Sequence, residues 1–289
     1  MDQPGGDARP KAARLFALTL FAMVAFAGNS LLCRAALKSS PIDAASFTTI
    51  RIASGAIALW VIVRWRADLP AGEGSWPSAL ALFAYAAAFS FAYLSLTAAT
   101  GALILFGAVQ VTMIGWGIRS GDRLRPWQVA GVLLAFAGLV GLLLPGLSAP
   151  PLGGALLMLG AGIAWGVYSL RGRGAGDPTR VTAGNFIRAA PLAAGLSLAL
   201  LPSTSIDARG VGCAVASGAL ASGVGYAIWY SALKGLGRST AATIQLGVPV
   251  LAAVGGIVFL GEALTPRLVI ASAVILGGIA VAIVARPGA

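Results

Sequence analysis

The chain has 289 residues, 58% of them hydrophobic and only 10% charged, with a formal net charge of +11 and no histidine. That is far too little polar surface to clothe a water-soluble fold of this size, so the sequence reads as an all-α membrane protein. The missing histidine excludes imidazole acid–base catalysis and zinc sites of the usual kind.

Backbone inside lipid must satisfy its own hydrogen bonds, which leaves helices or closed barrels. Barrel strands alternate polar and apolar residues, whereas "AGVLLAFAGLVGLLL" is continuously apolar, so the spans are helices. At about 20 apolar residues per crossing, ten runs follow one another: 13–37, 44–63, 76–96, 100–118, 127–144, 152–170, 181–201, 210–233, 239–260 and 267–285. The connections are short, rich in Pro and Gly ("LPAGEG", "GLSAPP", "RGRGAGDP"), and leave no room for a soluble domain.

The first run follows a tail, residues 1–12. Lys11 and Arg14 ahead of it and Ala25 and Ala27 in an A-x-A pattern resemble a cleavable signal peptide, but the apolar character continues through Leu32, long enough to span. This run carries Asn29, a candidate for a binding cavity together with Tyr93, Gln110, Trp165, Tyr168, Tyr226, Trp229, Tyr230 and Gln245 of the later runs. The second, in "FTTIRIASG", holds Arg51 as a lone charge, and the third ends near Tyr93. Gln110 lies in the fourth run, where Gly107, Gly115 and Gly117 read as loosening points. The sixth run supplies Trp165 and Tyr168. The seventh repeats the lone charge as Arg188 in "NFIRAAP". Tyr226, Trp229 and Tyr230 belong to the eighth, and Gln245, Gly247 and Pro249 to the ninth, where Pro removes a backbone donor and a bend is expected.

Arg51 and Arg188 each lie about eight residues from one end of their helix, and a long side chain there reads first as snorkelling to the nearer headgroups. Thr48 and Asn185, three residues before them on the same helical face, favour a bundle-facing polar pair instead. Direct contact with a substrate carboxylate is a third reading. Small-residue pairs, Gly131 with Ala135, Gly162 with Gly166 and Gly278 with Ala282, read as close helix packing. Asp122 and Glu262, each ahead of a Pro, read as caps at helix starts.

Sliding the sequence on itself by 137 residues aligns Arg34 with Arg171, Arg51 with Arg188 and Tyr93 with Tyr230; the offset then becomes 140, matching Gly121, Asp122 and Pro126 to Gly261, Glu262 and Pro266. Two five-helix halves, 13–146 and 150–286, are therefore related. Because five is odd they enter the membrane in opposite directions, the inverted-repeat arrangement of secondary transporters.

"SGDRLRPWQVAGVLLAFAGL" and "LGEALTPRLVIASAVILGGIAV" resemble the Gly-Glu-x-Leu-x-Pro junction and Gly-rich helix of the drug/metabolite transporter superfamily, and specifically its ten-helix EamA-type exporters. "AGIAWGVYSLRGR", "GVGYAIWYSALKGLG" and "STAATIQLGVPVLAAVGGIVFLGE" resemble the sixth, eighth and ninth helices of that family, so the likeness covers nearly the whole chain. Asp122 replaces the usual Glu, Val109 stands where the second half has Pro249, and "FAGNSLLCR" lacks the Trp expected in the first helix. Within the superfamily the chain is most similar to YddG-like amino-acid exporters.

The resemblance implies export of small metabolites by alternating access, with amino acids, aromatic or otherwise bulky and apolar, as the first substrate class. The expected partners are that small molecule and the lipid bilayer, with no nucleic acid and with a homodimer as an option. No cofactor, metal or catalytic residue is expected. All nine carboxylates fall in termini or loops, which disfavours a membrane enzyme or a proton-coupled carrier and points to uniport or exchange. A lipid-linked or nucleotide-sugar carrier of the same superfamily is the alternative. With the amino terminus in the cytoplasm, fourteen Lys and Arg lie on that side, while only Arg34, Lys38, Arg209 and Arg267 lie on the other. This bias places both termini in the cytoplasm of a bacterial inner-membrane protein. Cys33 and Cys213, near one predicted face, read as inert packing more readily than as a disulfide.

Overall fold

The computed structural model describes residues 8–66, 73–121, 125–146, 149–172, 176–233, 236 and 244–284. Ten helical rods stand in chain order: α1 Ala8–Ser39, α2 Ala44–Trp65, α3 Trp76–Tyr93, α4 Ala98–Arg119, α5 Pro126–Leu143, α6 Leu152–Arg171, α7 Pro178–Ala199, α8, α9 Gly247–Leu260 and α10 Pro266–Val284. The rod α8 has three consecutive pieces, an α-helical start Ala208–Val215, a π-helical middle Ala216–Val224 and an α-helical end Gly225–Leu233. No strand is present among the described residues.

Among the described residues, eight rods are long and apolar enough to cross a membrane. The other two depart for visible reasons. Arg180, Asn185 and Arg188 lower the hydropathy of α7, and the described part of α9 has 14 residues. Large apolar side chains cover the outside as well as the core, with Phe16, Trp127 and Phe259 at least 70% exposed. In water such a surface would aggregate; in lipid it is solvated.

Helix starts follow the capping chemistry of the sequence. Asp43 accepts hydrogen bonds from the N–H groups of Ala45 and Ser46 at 3.0 and 2.9 Å, Ser75 from Ser78 at 3.3 Å, Thr97 from Thr100 at 3.2 Å, and Asp177 from Thr179 and Arg180 at 3.0 Å each. These side chains satisfy N–H groups that have no partner within the helix. At the other end of α9, Gly261 adopts φ +61°, the left-handed turn that a Cβ would strain.

Exchanging the halves maps the main helix pairs onto one another. Helix α3 packs on α6 as α8 packs on α1; α4 lies on α6 as α9 lies on α1; and α3 meets α7 as α8 meets α2. Helices α2 and α7, α4 and α9, and α5 and α10 meet their own counterparts. The α5–α10 contact brings backbones together reciprocally: a Cβ on Gly131 would lie 2.5 Å from the Gly278 carbonyl, and one on Gly278 would lie 2.6 Å from the Gly131 carbonyl. Backbones at that distance gain dispersion contact without a hydrophobic drive, which lipid does not provide. Gly162 meets Ala108 and Leu105 of α4 in the same manner, and Gly166 meets Thr112.

The two rods expected to be flexible differ in form. Helix α4 runs unbroken from Ala98 to Arg119, so Gly107 sits in regular helix, with Ile275 of α10 facing it at ordinary distance. In the ninth rod the interruption falls at Leu246, between a helical pair Ile244–Gln245 and the start of α9 at Gly247. Pro249 lies in the first turn after it. Lacking an N–H, Pro249 cannot bond the carbonyl of Gln245 four residues back, so the freed carbonyl marks the break one turn upstream of the Pro itself.

Candidate functional site

A narrow cavity of about 20 Å³ lies at the centre of the bundle. Its walls are Phe26, Asn29 and Ser30 of α1, Tyr85 and Phe89 of α3, Leu105 and Phe106 of α4, Trp165 of α6 and Tyr226 of α8. Both halves contribute, as the interface of an inverted repeat would require.

The rings form a continuous wall. Trp165 stands 4.8 Å from Tyr85, 5.0 Å from Tyr226 and 5.4 Å from Tyr168, centroid to centroid. Phe26 meets Tyr226 at 5.9 Å and Trp229 at 5.8 Å, edge to face. Such tilted and edge-on pairs are the favoured arrangements of aromatic quadrupoles.

A polar chain runs behind this wall. Ser217 donates to Asn29 Oδ1 at 2.6 Å, Asn29 Nδ2 donates to the Tyr85 hydroxyl at 3.2 Å, and Arg51 Nη2 donates to the same hydroxyl at 3.0 Å. Arg51 is 2% exposed, its guanidinium 5.2 Å from the centre of the Tyr85 ring and 4.8 Å from that of Phe89. Its Nη1 is buried without a hydrogen-bond partner. The snorkelling expectation is therefore corrected for Arg51: the charge faces inward, held by a phenol oxygen and two ring faces, with no carboxylate beside it. The π-helical middle of α8 makes room for this. Gly218 presses on the Arg51 carbonyl so closely that a side chain would collide with it, and the same nine-residue segment supplies Ser217. A π-helical segment is rare and costs good hydrogen-bond geometry, so its presence at this point of the wall is informative.

Arg188 differs. Half-buried, it donates through Nη1 to the carbonyls of Glu73 and Gly184, tying α7 to the segment ahead of α3. Asn185 joins it there, accepting from the Ser75 N–H at 2.8 Å, while its amide nitrogen donates to the Tyr168 hydroxyl at 3.4 Å. The two arginines occupy equivalent sequence positions and unequal environments. Thr48 bonds the Ala44 carbonyl of its own helix at 2.7 Å and makes no pair with Arg51.

Of the candidate cavity residues, the structure brings Asn29, Trp165 and Tyr226 together. Tyr168 and Trp229 stand one layer out against Trp165 and Phe26. Tyr93 is fully buried, edge-on to Phe89 at 4.8 Å, and its ring covers Gly101. Tyr230 and Gln245 are half-buried and Gln110 is buried in α4 with an unpartnered amide nitrogen; none of the three lines the cavity. Tyr85, Phe89 and Phe26 line the cavity and Ser217 bonds Asn29 behind it, although the sequence did not single them out. The spacing of Tyr85, Phe89 and Tyr93, one helical turn apart each time, was the available signal.

Glu262 also takes a different role from the one expected. It lies ahead of α10 but caps α4: Oε2 accepts from the Ala98 N–H at 2.8 Å, while Oε1 accepts from Arg34 Nε at 3.0 Å. Asp122, its counterpart, lies outside the described residues. Cys33 and Cys213 are both free thiols. Among the described residues no three His, Cys, Asp or Glu side chains cluster to hold a metal ion.

The EamA-like transporter family matches residues 152–284. An uncharacterized protein of Pseudomonas aeruginosa is 57% identical over 277 residues, 95% of this chain and 96% of that one. The threonine/homoserine exporter of Salmonella typhimurium is 40% identical over 149 residues, and the match spans about half of each chain, 49%. A crystal structure aligns with a TM-score of 0.67 at 25% identity, covering 93% of this chain and 97% of the other. Residues 152–284 thus carry the likeness to the EamA-like transporter family, and the apolar rods make the chain a multi-pass membrane protein.

Proposed function

We propose that the protein exports amino acids, with bulky apolar or aromatic ones and hydroxy amino acids as the first candidates, across a bacterial inner membrane. The observation that carries this reading is the central cavity, built from both halves and lined by aromatic rings with one amide and three hydroxyls. A mostly apolar pocket with a few convergent polar groups suits a small molecule that has one charged end and one carbon-rich end. The half-length relationship to a threonine/homoserine exporter supports the same class. A nucleotide-sugar carrier would call for several cations at the site, and Arg51 alone approaches it.

The five-helix halves, 13–146 and 150–286, act in this reading as the units that rock about the cavity, with the Leu246 break and Gly247–Pro249 as the point that changes shape. Gly107 is a weaker hinge, since α4 is continuous there. The fourteen-to-four charge bias places both termini in the cytoplasm. No carboxylate lines the cavity, which supports uniport or exchange over proton coupling. Purified protein in liposomes, offered radiolabelled amino acids, sugars and nucleotides, tests the class. Amino-acid flux is expected, and flux of sugars or nucleotides alone would refute the reading.

A further inference from the structure

The hydrogen-bond pattern at Tyr85 fixes more than the position of a ring. A phenol oxygen has two lone pairs and one proton. Arg51 Nη2 and Asn29 Nδ2 both donate to it, at 3.0 and 3.2 Å, which occupies both lone pairs. The proton of Tyr85 must then be donated elsewhere. Asn29 does not take it, because its nitrogen faces Tyr85 and its oxygen already accepts from Ser217 at 2.6 Å. Tyr85 and Asn29 both line the cavity, and no Asp or Glu side chain does. Behind them stands the buried Arg51 guanidinium, with Nη1 unpartnered.

The geometry points to a carboxylate subsite at Tyr85 and Asn29, with Arg51 as the positioning residue that polarises the Tyr85 O–H toward it. This rests on the amino-acid reading above and deepens it. In water-poor surroundings an unneutralised guanidinium is costly, and an arriving anion offsets that cost. A hydroxyl that accepts from a cation is a stronger donor, so the charge acts through Tyr85 without touching the ligand. The carbon-rich end of the ligand meets the Trp165 and Tyr226 rings, whose centroids lie 5.0 Å apart. The ligand class is thus a zwitterionic α-amino acid with a free carboxylate; amines and amino alcohols lack the group that the subsite recognises.

Proteoliposomes of the parent protein, Tyr85→Phe and Arg51→Met test this with labelled L-threonine and L-phenylalanine, competed by the same amino acids or by threoninol and phenylalaninol. In the parent, the amino acids compete and the alcohols do not. Tyr85→Phe keeps the ring and raises KM by about tenfold or more, as loss of a charge-assisted hydrogen bond should. Arg51→Met raises KM similarly where it folds. Competition by the alcohols equal to that of the amino acids, or an unchanged KM in Tyr85→Phe, would overturn the subsite while leaving amino-acid export intact. Vesicles that move no amino acid would overturn the export reading itself.

Discussion

Glu262 and Arg34 form an ion pair of 3.0 Å whose side chains are 5% and 12% exposed, and the same carboxylate caps the first turn of α4 through Ala98. Arg34 in turn donates to the carbonyl of Tyr93 at 2.9 Å, and Lys38 to that of Leu260 at 3.3 Å. One side-chain pair therefore holds the end of α1, the end of α3, the start of α4 and the α9–α10 connection at one face. Removing one partner of a largely buried pair strands the other charge and costs about 3–5 kcal/mol, whereas removing both costs less. Glu262→Leu and Arg34→Met should each lower the unfolding midpoint in detergent markedly, and the double variant should recover part of the loss. Strictly additive losses would show that the pair is not coupled.

Asp43 gives a pH dependence with a definite sign. Partial burial would raise its pKa, but hydrogen bonds from Ser46, Ser205 and Ala45 outweigh that and hold it below its ordinary value of 3.8. A carboxylate depressed in the folded state contributes stability above its unfolded pKa and loses it as pH falls through the folded one. Thermal unfolding of the parent and of Asp43→Asn should therefore differ at pH 7, with the parent more stable, and converge in the acid range below that ordinary value. A gap that persists there would mean that Asp43 acts by shape and not by charge.

The break ahead of Gly247 predicts a kinetic phenotype. Pro249→Ala restores the donor for the Gln245 carbonyl and straightens the ninth rod. Flux in liposomes should fall by several-fold while the concentration for half-saturation shifts little, because shape change and not binding is impaired. Parent-like flux would leave Pro249 without a role in the transport cycle.

Orientation is tested by reporter fusions. Fusions after Arg66, Arg125 and the last residue should read cytoplasmic, and one after Ser148 periplasmic. The reverse pattern would place the fourteen-cation face outside.

The rods, the relation of the halves and the packing glycines were legible in the sequence, because apolar period, breaker residues and repeat spacing are local properties. Contacts between helices were not. Arg51 stands mid-run like Arg188, and only the approach of α3 and α8 makes one a buried cation behind a cavity and the other a tie to backbone carbonyls. Glu262 sits where a cap for α10 belongs, yet the neighbouring start of α4 captures it. Ser217 lies in a small-residue stretch that reads as packing; the π-helical winding that turns it toward Asn29 has no plain sequence period.

Counterflow tests the account most directly. Proteoliposomes preloaded with unlabelled L-threonine or L-phenylalanine are diluted into a trace of the labelled amino acid, with and without an imposed pH difference of about two units, worth about 2.7 kcal/mol per coupled proton. The account predicts transient accumulation of label inside that depends on the preloaded amino acid and is the same with or without the pH difference. Accumulation that requires the pH difference would contradict the uniport or exchange mechanism, and no accumulation under either condition would contradict amino-acid transport altogether.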